Sequence, residues 1–121
     1  MQQQAAQAYQ QTAKQTASPS ELEAQLLSKA ASSFITIQKN WEEGQKGLYN
    51  ALTYNRKLWS IFLNSVTQED NPLPKEIREN IANLGLFVMN HSMKVQTAPE
   101  PQKLDVLINI NRDVAAGLRA K

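Results

Sequence analysis

The sequence predicts an all-α fold, a small helical bundle of four main helices plus a weak N-terminal helix or arm. Three observations carry this prediction. Apolar residues recur at three- and four-residue spacing through four long segments. No segment shows the two-residue alternation of a half-buried strand, and no internal repeat is present. Proline-bearing breaks at Ser18-Pro19, Asn71-Pro72-Leu73-Pro74 and Ala98-Pro99-Glu100-Pro101 stand where helices would start or stop. The connections are short, so an up-and-down bundle is the simplest architecture.

Residues 1–17 are almost all Gln, Ala, Thr and Lys around Tyr9. Ala5, Tyr9 and Ala13 share a helical face, but that stripe is too shallow to fold alone. The segment reads as an arm or marginal helix that orders on contact with the body or a partner, with disorder in isolation as the alternative. Residues 18–121 read as a single helical domain.

Ser18-Pro19-Ser20-Glu21 is a helix start: Ser18 suits the cap, Pro19 the first position, and Glu21 the capping-box distance. The helix that follows carries Leu26, Ala30, Phe34, Ile37 and Trp41 on one face. A connection or kink is expected near Gly44. The next helix, about 46–67, has Leu48, Leu52, Trp59, Phe62 and Val66 in register, widened by Leu58 and Leu63. Asn71-Pro72 ends it. A helix starting near Pro74 or Lys75 then runs to Val95, and a last one, about 101–118, uses Leu104, Leu107, Ile108, Val114, Ala115 and Leu118.

The 75–95 helix is greasy on more than one side. With about 100° per residue, Ile77, Ile81, Leu84, Val88 and Val95 fall in one narrow sector. Leu86, Met89 and Met93 fall almost opposite, with Phe87 between. An ordinary surface helix has one apolar stripe, so the second face needs a cover. Either the helix is central to its own bundle or a partner supplies the cover, and adaptable methionines suit the latter.

The 121 residues fit one domain, and 41% apolar with 20% charged residues describes a soluble globular chain. No apolar run spans a bilayer and no signal peptide opens the chain, so a cytoplasmic location is expected. The chain has no cysteine and a single histidine, which excludes disulfides, thiolate nucleophiles and paired-imidazole metal sites. No phosphate-cradling glycine loop, nucleophile elbow or EF-hand pattern is present, so neither catalysis nor a cofactor is expected. The formal charge of +2 is scattered. Tyr49 and Arg56 share a face, but Tyr54 does not, which makes RNA a poor partner.

His91 reads as a partly buried side chain satisfied by a hydroxyl or carbonyl, with a pH-sensitive contact as the alternative. Asn55 and Asn111 interrupt apolar stripes, where an unpaired amide would cost a few kcal/mol. They read as polar pins of helix register or, alternatively, as contacts to a partner's backbone. The aromatic residues are expected in the core, with Trp41 the one expected to stay accessible.

Several segments, taken in order, carry a resemblance. They are Ala8-Tyr9 ahead of Ser18-Pro19-Ser20-Glu21-Leu22-Glu23-Ala24, Asn50-Ala51-Leu52 leading to Leu58-Trp59-Ser60-Ile61-Phe62, the Asn71-Pro72-Leu73-Pro74 block, and Leu107-Ile108-Asn109-Ile110-Asn111 with Gly117-Leu118. Over essentially its full length the chain resembles the FlaF family of alphaproteobacterial flagellar biosynthesis regulators. Ser20 departs from the basic residue expected there. The resemblance implies a non-enzymatic cytosolic protein that looks like a flagellin-specific secretion chaperone, promotes flagellin synthesis and works against FlbT. A flagellin terminal segment that becomes helical only on assembly would need a complementary groove. The expected contact residues are Leu86, Met89 and Met93, joined by Tyr9 and Leu22. The alternatives are a translational regulator acting through FlbT or flagellin mRNA, and an oligomer in which the second face is a subunit interface.

Overall fold

The computed structural model describes residues 18–120. Four helices account for nearly all of them: α1 (Pro19–Lys39), α2 (Trp41–Val66), α3 (Lys75–Thr97) and α4 (Leu104–Arg119), with a 3₁₀ turn at Pro101–Lys103 leading into α4. No strand occurs among the described residues. The expected N-terminal arm, Tyr9 included, lies outside them.

The start of α1 follows the local code. Ser18 Oγ accepts from the Glu21 amide at 3.1 Å, and Pro19 occupies the first turn. The buried face of α1 is Ala24, Leu27, Ala30, Ala31, Phe34 and Ile37. Leu26, expected on that face, is exposed, and its neighbour Leu27 is buried instead. The two leucines differ by one helical step, about 100°. Docking of α4 decides between them: α1 packs most extensively against α4, and small Ala24 and Ala31 let it come close.

The chain breaks at Asn40 rather than near Gly44, and Trp41 opens α2. Gly44 instead marks a close approach. A Cβ built there would lie 2.6 Å from the carbonyl oxygen of Ile37, so only glycine lets the start of α2 fold back on the end of α1. At Gly85 the neighbour is a side chain rather than backbone: Leu63 of α2 packs over it, 2.7 Å from where a Cβ would stand.

The α2–α3 loop is pinned by Asn71. Its Nδ2 donates to the Ser65 carbonyl at 3.0 Å and to Ser65 Oγ at 3.1 Å, and its Oδ1 accepts from the Leu73 amide at 2.9 Å. One apolar core runs through all four helices, centred on Phe34, Leu52, Trp59, Val88 and Leu107. Trp59 meets Phe62 edge to face at 5.7 Å.

In space the helices follow the order α4–α1–α2–α3. Packing is extensive between α1 and α4, α2 and α3, and α1 and α2, but α3 and α4 scarcely touch. That loosely packed seam is where the bundle presents a cleft.

Candidate functional site

Two apolar stripes border the seam. On α3, Ile77, Leu84, Phe87 and His91 follow one another at helical spacing; on α4, Val106, Ile110, Val114 and Gly117 do the same. Neither stripe contains an Asp, Glu, Lys or Arg. Over the first half of α3 they enclose a cleft of about 220 Å³ lined by Ile77, Ile81, Leu84, Val114, Gly117 and Leu118, with Asn80 at its edge. Ile77 is exposed, while Leu84 and Val114 are half-buried against the core.

The opposite end of the seam is bridged by one hydrogen bond, beside an open depression of about 450 Å³ lined by His91, Met93, Lys94, Thr97, Ala98 and Lys103. His91 Nε2 donates to the carbonyl of Lys103 at 2.7 Å, joining α3 to the 3₁₀ turn. The carbonyl can only accept, so Nε2 carries the proton. The Phe87 ring stacks on His91 at 5.5 Å and 10°, and remains 45% exposed. A helix laid between α3 and α4 would meet aliphatic walls at one end and this aromatic pair near the other.

The other expected contact residues divide. Leu86 and Met93 are 59% and 63% exposed, on the flank of α3 away from α4, whereas Met89 packs against the core. Met93 borders a shallow depression with Arg56, Gln96 and Thr97, where Arg56 Nη1 donates to Gln96 Oε1 at 2.8 Å. Leu22 is exposed near the start of α1, and α1 is no close neighbour of α3. The structure therefore does not bring Leu22 to the α3 residues, and Tyr9 lies outside the described residues.

The cleft itself was missed by sequence reasoning. From periodicity alone, Leu84, Val114 and Leu118 read as ordinary core positions. The available signal was a second stripe on α4, Val106-Ile110-Val114, beside the core stripe Leu104-Leu107-Asn111-Leu118.

Near the cleft end of the bundle, burial raises the Glu23 carboxyl above its ordinary value of 4.5. No group of three or more metal-ligating side chains occurs among the described residues.

The sequence model of the family described as flagellar protein FlaF matches residues 5–118. The chain belongs to the FlaF family. It is therefore a flagellar protein, and the match spans all of α1, α2 and α3 and most of α4. No curated protein and no solved structure matches the chain. No described helix of this FlaF-family protein is long and apolar enough to cross a membrane.

Proposed function

We propose that this FlaF-family protein is a non-catalytic cytoplasmic chaperone that holds a terminal helix of flagellin in the α3/α4 cleft and thereby promotes flagellin synthesis. The observation that carries the reading is the uncharged apolar cleft at the one helix–helix seam the bundle leaves loosely packed. An unassembled flagellin helix exposes an apolar stripe that water disfavours. The walls formed by Ile77, Leu84, Val114 and Leu118 would remove that stripe from solvent at about 25 cal/mol per Å² buried. Association entropy offsets much of that gain, so micromolar affinity is the expected scale.

The strong exposure of Leu86 and Met93 favours a second contact on the outer flank of α3. Methyl spectroscopy of the labelled protein separates the two. Monomeric flagellin should shift the Leu84 and Val114 methyl resonances in the cleft reading, and those of Leu86 and Met93 alone in the flank reading.

A further inference from the structure

The α3/α4 cleft and the point where the chain enters α1 lie at the same end of the bundle. Arg119, in the last turn of α4, donates from Nε to Glu21 Oε1 at 3.4 Å and from Nη1 to Ser28 Oγ at 3.2 Å, so α1 begins where α4 ends. Gly117 and Leu118, just before Arg119, line the cleft together with Ile77 from the first turn of α3. Ser18 has extended backbone, φ -68° and ψ 162°, so the chain turns off the axis of α1 at this end rather than prolonging it.

Residues 1–17, which lie outside the described residues, join the bundle at that point. Lys14 is their only charged side chain, and Ala5, Tyr9 and Ala13 share one helical face. The cleft likewise has no Asp, Glu, Lys or Arg in its lining. As a helix, residues 5–13 would span about 12 Å, within the roughly 16 Å of α4 between Val106 and Gly117. Residues 14–17 supply up to about 13 Å of extended chain, enough to round one helix end at the usual spacing of about 8–10 Å between packed helices. Lys14 then falls in the link and not between the apolar walls. A Cβ at Gly117 would meet nothing within 4 Å, which leaves the cleft open at the end where the link arrives.

We propose that residues 5–13 of the same chain occupy the α3/α4 cleft as a stand-in for the client, with Tyr9 toward Leu84 and Val114, and that a client helix displaces them. Two alanines and one tyrosine bury too little apolar surface to bind from free solution. Tethering changes that balance, because a short link holds the stripe at an effective concentration of the order of millimolar. The contact covers the cleft while it is idle and yields to a larger apolar stripe. The displacement step rests on the cleft being the flagellin site; the docking of the chain's own N-terminal segment does not.

The chain has no cysteine, so a single nitroxide can be attached to the full protein through Gln7→Cys, off the Ala5-Tyr9-Ala13 face. The label should broaden the methyl resonances of Ile77, Leu84 and Val114 well beyond those of Leu26 and Ile61, and adding Tyr9→Ser should relieve that broadening with an unchanged circular dichroism spectrum. No preference for the cleft methyls, or broadening centred on Leu26 and Ile61, would overturn the proposal. So would cleft broadening seen only between spin-labelled and isotope-labelled molecules in a mixture, because the occupant is then a second copy. Monomeric flagellin should restore the cleft signals, and Tyr9→Ser alone should bind it at least about threefold more tightly. Flagellin that binds while the label stays at the cleft would overturn the displacement. If flagellin does not bind and the label still marks the cleft, the docking stands and the flagellin reading alone fails.

Discussion

Asn111 on α4 donates from Nδ2 to Oδ1 of Asn55 on α2 at 2.8 Å, across the fully buried centre of the bundle. The other end of the Asn111 amide accepts from Trp59 Nε1 at 2.9 Å. The two asparagines that interrupt apolar stripes are thus each other's partners. A one-residue slip of either helix would separate them and strand buried polar atoms. Such a pair specifies register more than it adds stability.

Replacing Asn111 by Ala strands the indole N–H and Asn55 Oδ1, beside an Asn55 Nδ2 that is already buried without a partner. The expected cost is about 2–4 kcal/mol in denaturant unfolding. A double-mutant cycle with Asn55→Ala should give a coupling of about 1 kcal/mol; additivity would mean that the pair does not act as a unit.

Gly44 and Gly47 make a matched comparison within one helix. Alanine improves helix propensity at either by about 1 kcal/mol. At Gly47 nothing opposes the gain, so Gly47→Ala should stabilise by about 0.5–1 kcal/mol. At Gly44 the new Cβ collides with the Ile37 backbone, so Gly44→Ala should destabilise by about 1–3 kcal/mol, read by thermal unfolding.

Glu23 sets a pH signature. Burial raises its folded-state value above 4.5, so the native state holds the proton more tightly than the unfolded chain. Stability therefore falls as pH rises from 4.5 through the raised folded-state value. Glu23→Gln should raise Tm at pH 7 and match the parent below that window; a Tm gain of the same size at both pH values would point to packing instead.

The start of α1 was legible because its determinants are local: Ser18, Pro19 and Glu21 act within one turn. The choice of Leu27 over Leu26 was not, since only the docking of α4 separates two adjacent leucines. Gly44 suggests a break in the sequence because a glycine is marked there without saying whether it bends the chain or admits a neighbour. Asn55 and Asn111 stood out as polar residues in apolar stripes, but their pairing depends on how α2 and α4 cross. Likewise Leu84 and Val114 announce apolar faces, and only packing reveals that those faces border a cleft.

The most direct test of the central claim is calorimetric titration of the full chain against monomeric flagellin, at low and high salt. The parent protein should bind one-to-one near micromolar affinity at both salt concentrations, because the cleft walls are uncharged. L84S/V114S, if folded by circular dichroism, should bind at least about tenfold more weakly, a loss of roughly 1.4 kcal/mol or more, while L86S/M93S retains most of the affinity. Absence of binding by the parent, or binding that L84S/V114S leaves intact, would contradict the account.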